Sequence, residues 1–103
     1  MENINQNQWV EKIQNDTNAV ILDVRSPEEC AEGMQTGAVQ MNIMNTAQFI
    51  ADIDKLDKSK NYYIYCRSGG RSGQACMLMA AKGYNTYNLN DGMLSWSGEV
   101  VIP

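Results

Sequence analysis

The 103-residue chain is predicted to fold as an α/β domain, with a central, mainly parallel sheet of about five strands and helices on both faces. Three observations predict it. Short apolar runs of strand length alternate along the chain with segments whose apolar residues recur at helical spacing. Runs such as Ala19-Val20-Ile21-Leu22 are continuously apolar rather than alternating, as expected of strands covered on both sides. Turn-forming clusters, Asn15-Asp16-Thr17-Asn18 and Asp57-Lys58-Ser59-Lys60, separate the two kinds of segment.

Taken in order, Gln6 to Asn15 carries Trp9, Val10 and Ile13 at helical spacing and forms a first helix that ends in the Asn-Asp-Thr-Asn turn. Ala19 to Leu22 is a buried parallel strand. Ser26-Pro27-Glu28-Glu29 opens a second helix, with serine at the N-cap, proline in the first position and acids in the first turn. Ala38 to Ile43 reads as another short strand. Thr46 to Leu56 places Phe49, Ile50, Ile53 and Leu56 on one face of a third helix. Tyr62 to Tyr65 is a strand. From Ser72 to Lys82 a mostly apolar run, Ala75-Cys76-Met77-Leu78-Met79-Ala80-Ala81, forms a helix expected to be buried on most sides and stopped at Gly83. Tyr84 to Leu89 closes the strand series, and Gly92 to Trp96 is a last short helix. No linker, repeat or low-complexity segment suggests a second module, so residues 1–103 read as one domain.

Composition excludes several function classes. A formal net charge of −4 argues against nucleic acid or an anionic membrane as the main partner, since both require a basic footprint. No apolar run reaches the roughly 18 residues of a membrane helix, and Met1-Glu2-Asn3-Ile4-Asn5-Gln6 lacks the layout of a signal peptide, so a cytoplasmic location is expected. Three cysteines, Cys30, Cys66 and Cys76, have no paired spacing and suggest neither a disulfide framework nor a zinc site. Histidine is absent, which removes Cys-His dyads, imidazole bases and most transition-metal sites. No cofactor and no metal are expected.

The chemistry concentrates in Tyr62-Tyr63-Ile64-Tyr65-Cys66-Arg67-Ser68-Gly69-Gly70-Arg71-Ser72, a strand running through a cysteine and a glycine-rich basic turn into a helix. A thiol at the carboxyl end of a parallel strand, followed by a helix N-terminus, sits where backbone N–H groups converge and the helix dipole favours negative charge. Convergent amides with Arg67 and Arg71 favour the thiolate, which is the nucleophilic form. Asp23 and Arg25 follow another strand end at the same edge of the sheet, where they are expected to support the loop by hydrogen bonding. Cys76 reads as a core residue, and Cys30 as packing rather than as a resolving thiol. Met77, Met79 and Met93 read as core filler, and Trp96 as core or pocket rim.

The loop Cys66-Arg67-Ser68-Gly69-Gly70-Arg71-Ser72 resembles the Cys-Arg-x-Gly-x-Arg-Ser active-site loop of single-domain rhodaneses. Val20-Ile21-Leu22-Asp23-Val24-Arg25-Ser26-Pro27-Glu28-Glu29 is similar to that family's Leu-Asp-Val-Arg-x-Pro-x-Glu segment. Gly33-Met34-Gln35-Thr36-Gly37-Ala38 is similar to its Gly-His-Ile-x-Gly-Ala segment, and Asn90-Asp91-Gly92-Met93-Leu94-Ser95-Trp96 to its Gly-Gly-x-x-x-Trp element. Four motifs in the family's order span nearly the whole chain. Two departures stand out: Met34 where the family usually has histidine, and Asp91-Gly92 for its double glycine. Neither touches the loop in sequence, so fold and core chemistry are expected to survive.

The resemblance implies a rhodanese-like three-layer α/β/α fold and a thiosulfate sulfurtransferase. Cys66 would take a sulfane sulfur from thiosulfate or a persulfide donor and pass it to cyanide or a thiol, or to a protein partner in a sulfur relay. The amides from Arg67 through Ser72 would cradle the terminal sulfur, Arg67 would bind the donor anion at the mouth, and Arg71 would pair with a carboxylate such as Asp23. Two alternatives stay open. A non-enzymatic persulfide carrier, sensor or interaction module needs the same loop. A phosphatase or arsenate reductase is disfavoured, because Cys66 and Arg71 enclose four residues where the phosphatase loop has five, and the smaller ring suits one sulfur atom.

Overall fold

The computed structural model describes residues 1–103. Five parallel strands form the central sheet: β1 (Glu2–Ile4), β2 (Ala19–Asp23), β4 (Val39–Gln40), β5 (Asn61–Tyr65) and β6 (Asn85–Leu89), in the order β1-β6-β5-β2-β4. The helices are α1 (Gln6–Gln14), α2 (Pro27–Ala31), α3 (Thr46–Ile53) and α4 (Gly70–Ala81). A 3₁₀ turn covers Gly92–Leu94, and β3 (Met34–Gln35) pairs antiparallel with β7 (Val100–Val101) as a separate ribbon. No helix is long and apolar enough to cross a membrane.

Alternation along the strands divides the core in two. On β5, Tyr62 and Ile64 join Leu22, Val24, Phe49, Ile53, Ala75, Cys76 and Met79 on the face carrying α3 and α4, whereas Tyr63 and Tyr65 join Trp9, Ile4 and Leu89 on the face carrying α1. Each buried aromatic or aliphatic side chain in these layers contributes about 1.5–3 kcal/mol. Trp9 meets Tyr63 and Tyr65 edge-on, with centroids 5.6 and 6.1 Å apart, and its indole N–H donates to Gln35 Oε1 at 3.0 Å.

Local chemistry accounts for the helix starts. Ser26 caps α2 with Pro27 in the first position, as the sequence predicts, and Glu29 completes a reciprocal capping box; Asn5 with Gln8 forms another on α1. Several boundaries differ from expectation. The chain from Ala38 to Ile43 pairs as a strand only at Val39–Gln40; beyond it Met41 and Ile43 still donate to the Asp23 and Val24 carbonyls, but as the irregular edge of the sheet. α3 stops at Ile53, where the carbonyls of Ile53 and Leu56 accept the Tyr84 hydroxyl. α4 starts two residues early, at Gly70, because Gly69 takes φ +98 and turns the loop directly into the helix. Nor is α4 buried on most sides: Ser72, Ala75, Cys76 and Met79 make one inward stripe and Met77 is 65 % exposed.

Candidate active site

Cys66 immediately follows β5, second neighbour to both edges of the sheet, at the carboxyl ends of the parallel strands where an open α/β sheet leaves a crevice. The Val24 amide donates to the Tyr65 carbonyl at 3.0 Å, so the ladder holds β5 up to the residue before the cysteine. From there the carbonyls of Cys66 and Arg67 turn outward and accept the amides of Met93 and Leu94, each at 3.0 Å. A peptide whose carbonyl faces out directs the following N–H inward, so the 3₁₀ turn orients the Arg67 and Ser68 amides toward the loop centre. Gly92 permits this approach: a Cβ there would lie 2.5 Å from both carbonyl oxygens, and its φ is +56. Gly69 is equally constrained, since a Cβ would run into the Asn90 carbonyl.

The fully buried Cys66 Sγ sits at the focus of this loop. It accepts the Gly69 amide at 3.1 Å and lies 3.3 Å from the Ser72 hydroxyl, with the Ser68 and Ser72 amides also directed at it. Burial pushes the thiol up, but the hydrogen bonds from Ser72, Gly69 and Ser68 outweigh it and leave Cys66 below the ordinary thiol range. The other two cysteines behave oppositely. Burial pushes both Cys30 and Cys76 up to about 12, the Asp23 carboxylate adding to the effect at Cys30. All three are free thiols.

The structure separates the two arginines of the loop. Arg71 does not pair with Asp23, as the sequence suggested; its Nη1 and Nη2 donate to Glu29 Oε1 and Oε2 at 2.7 and 2.8 Å. The reason is positional: the first turn of α4 faces α2, while Asp23 is already engaged. Asp23 accepts the Arg25 guanidinium through both oxygens, at 2.7 to 3.1 Å, together with the Arg25 amide. Arg25 also donates to the Gly33 carbonyl at 2.6 Å and lies over the Tyr65 ring. This buried pair therefore fixes the segment from β2 to Gly33 and makes no hydrogen bond to the Cys66 loop, correcting the expectation of direct loop support.

Arg67 belongs to none of the chain's three ion pairs and is exposed. It lines a cleft of about 430 Å³ with Arg25, Glu29, Glu32, Met93 and Leu94. Ser68, Gly69 and Gly70 supply loop backbone, and Ser72 is buried against the sulfur. On the other side of Arg71 a second cleft of about 540 Å³ is lined by Ile43, Met44, Thr46, Gln74, Met77 and Leu78. Three contributors were missed by reading the sequence: Glu29, the amides of Met93 and Leu94, and Asn88, whose side-chain amide donates to the Gly69 carbonyl at 3.2 Å and whose oxygen meets the Ser72 hydroxyl. Glu29 was visible as a cap acid and as part of the Leu-Asp-Val-Arg-x-Pro-x-Glu resemblance but not as the partner of Arg71, and Asn88 lies in a strand where nothing in the sequence sets it apart.

The chain has known relatives in sequence and in fold. The chain matches the Rhodanese-like domain model over residues 6–99. It is 39 % identical over 89 residues to "Putative sulfurtransferase YtwF" of Bacillus subtilis, covering 86 % of this chain and 84 % of that one, and 38 % identical over 84 residues to a sulfurtransferase of Allochromatium vinosum, covering 80 % and 76 %. Among solved structures, the rhodanese-like domain protein from Staphylococcus aureus superposes with a TM-score of 0.86 at 27 % identity, covering 100 % of this chain and 99 % of the other. Sulfurtransferase is thus the enzyme class that the names of these relatives support, and the solved rhodanese-like domain shares the fold described above. By sequence and by fold, the chain belongs to the rhodanese-like domain family.

Proposed function

We propose that this protein transfers a sulfane sulfur from thiosulfate or a persulfide donor to cyanide or a thiol, through a persulfide on Cys66. The observation that carries the reading is the convergence of the Gly69, Ser68 and Ser72 amides on one buried sulfur, with the Ser72 hydroxyl 3.3 Å away and no general base beside it. Such a site suits a reaction that begins from a pre-formed thiolate and needs little proton transfer. The Cys66 thiolate attacks the outer sulfur of thiosulfate; a new S–S bond forms, and the donor's S–S bond breaks with its electron pair departing on sulfite. The terminal sulfur of the Cys66 persulfide carries the negative charge, which the inward loop amides stabilise as an oxyanion hole stabilises oxygen. The acceptor then attacks that terminal sulfur and Cys66 leaves as the thiolate, closing the cycle without an external oxidant or reductant.

Arg67, free of carboxylate partners at the cleft, is the residue proposed to bind the donor anion. Arg71 is held by Glu29 and is not available to ligate a tetrahedral oxyanion within the loop, which weighs against phosphatase or arsenate reductase chemistry.

Intact mass spectrometry after mixing with thiosulfate under non-reducing conditions tests the reading, alongside Cys66→Ser and a cyanide-dependent thiocyanate assay. Addition of one sulfur atom to the parent but not to the variant, with thiocyanate formed, is the expected result. No adduct and no thiocyanate would overturn the thiosulfate reading in favour of a carrier loaded by a protein donor.

A further inference from the structure

The hydroxyl of Ser72 has two acceptors and one proton. Its Oγ lies 3.3 Å from Cys66 Sγ and 2.5 Å from Asn88 Oδ1, and both Ser72 and Asn88 are buried. The orientation of the Asn88 amide is fixed by its other partners. Asn88 Nδ2 donates to the Gly69 carbonyl at 3.2 Å, a group that only accepts, and to Asn3 Oδ1 on β1 at 2.9 Å. The oxygen of Asn88 must therefore face Ser72. At 2.5 Å two oxygens without a hydrogen between them would repel, so in this arrangement the Ser72 hydroxyl donates to Asn88 and offers a lone pair to the Cys66 S–H. If Cys66 is to be stabilised as a thiolate by Ser72, the hydroxyl must rotate to the sulfur and leave Asn88 Oδ1 without that donor.

We propose that Asn88 is a positioning residue for the sulfur site: it holds the Ser72 proton while Cys66 is a thiol and yields it to Cys66 when the thiol ionises. The proton lost from Cys66 goes to solvent, and no bond other than hydrogen bonds changes. Asn88 thereby competes with the sulfur for its side-chain donor and limits how far the loop stabilises the anion. When Cys66 gains a sulfur its inner atom becomes neutral, and the hydroxyl returns to Asn88. The charged or titratable groups around Cys66 that could mimic this effect are its exposed neighbour Arg67 and, on α4, Arg71 and Cys76. Arg71 is bound to Glu29 of α2, and Cys76 is held as a neutral thiol; Asn88 on β6 and Asn3 on β1 bring no charge.

The use of this device rests on the sulfur-transfer reading of Cys66, but its test needs no sulfur donor. The rate of Cys66 alkylation by iodoacetamide, or the thiolate absorbance, is followed against pH in the parent, Asn88→Leu, Ser72→Ala and the double variant. Removing the competing acceptor spares the cost of leaving it unsatisfied, so Asn88→Leu lowers the Cys66 midpoint by about one unit, a tenfold change in thiolate below both midpoints. Ser72→Ala raises it, and in the Ser72→Ala background the leucine produces no further shift. A midpoint that does not fall in Asn88→Leu, or an equal fall when Ser72 is already alanine, overturns the proposal. Should Asn88→Leu fail to fold, Asn88→Asp, which keeps a stronger acceptor against Ser72, is read with the opposite sign: its rise must shrink when Ser72 is alanine, and an undiminished rise overturns the proposal. Failure of the mass-spectrometric sulfur transfer with these shifts intact would overturn the function and leave the switch standing.

Discussion

Arg71 and Glu29, 42 positions apart in sequence, meet in a two-pronged ion pair at 2.7 and 2.8 Å. The same carboxylate caps α2 through Ser26, so one glutamate ties the helix after β2 to the first turn of the helix after the cysteine. The consequence is a division of labour between the two arginines. Arg71 fixes the exit of the loop, and Arg67 keeps its charge for solvent or ligand.

Substituting each arginine should separate these roles. Arg67→Ala is expected to raise KM for thiosulfate roughly fivefold, the loss of about 1 kcal/mol from one partly solvated charge contact, with Tm unchanged. Arg71→Ala is expected to lower stability by about 1 kcal/mol and to lower kcat, because the loop loses its anchor. Parallel kinetics and thermal melts check this; a KM effect confined to Arg71→Ala would reverse the assignment.

Acid should act through the same pair. Arg71, with Ser26 beside it, holds the Glu29 carboxyl down to about 2 against an ordinary 4.5, although burial opposes the shift. A carboxyl whose folded value is depressed contributes stability that is fully present above its unfolded value and is lost as pH falls from about 4.5 through about 2. Glu29→Gln should therefore flatten the denaturation midpoint between pH 5 and 2 relative to the parent while costing about 1 kcal/mol at pH 7. An unchanged acid slope would mean that the pair adds nothing in solution.

Much of this arrangement was legible in the residues and part of it was not. Local signals were read correctly where one segment contains its own cause: Ser26-Pro27-Glu28-Glu29 as a capped helix start, Tyr62 to Tyr65 as a strand, and Gly69-Gly70 as the bend behind Cys66. The fifth strand, Glu2–Ile4, was invisible because three polar-rich residues carry no periodicity and become a strand only by pairing with Tyr87 to Leu89. Partner choice was equally hidden. Asp23 and Glu29 are both acids near the sheet edge, and only the packing of α4 beside α2 gives Arg71 to the second while Arg25, two residues away, claims the first. Met77 was read into the core from an apolar run whose true register the helix sets, with its stripe at positions 72, 75, 76 and 79.

The three thiols should differ sharply in alkaline chemistry. With Cys66 held below the ordinary thiol value of 9.0 and Cys30 and Cys76 raised to about 12, limited iodoacetamide at pH 7.5 should modify Cys66 alone in the folded protein and all three after denaturation. The raised pair also has a stability consequence. A thiol kept neutral by folding contributes stability that is fully present below its unfolded value and is lost as pH rises from about 9 through about 12, so unfolding should become easier across that window. Cys30→Ala and Cys76→Ala should each weaken this alkaline dependence. Modification of Cys30 before Cys66 at pH 7.5 would contradict the ordering.

Glycine substitutions test how the loop is shaped. Gly92 has φ +56 and would place a Cβ 2.5 Å from the Cys66 and Arg67 carbonyl oxygens, the two that accept the Met93 and Leu94 amides. Gly92→Ala must push the 3₁₀ turn away from the loop. Overpacking of this kind costs about 1–3 kcal/mol, and the carbonyls it displaces are those whose orientation turns the loop amides toward sulfur. Gly70 has open space around its Cβ position and lies at the start of α4, so Gly70→Ala should be neutral or stabilising by up to about 1 kcal/mol. The informative measurement is the Cys66 alkylation midpoint in both variants. It should rise in Gly92→Ala, because inward amides are what hold the thiolate, and stay fixed in Gly70→Ala. A Gly92→Ala protein that is less stable but keeps the parental midpoint would show that the turn supports the fold without shaping the sulfur site.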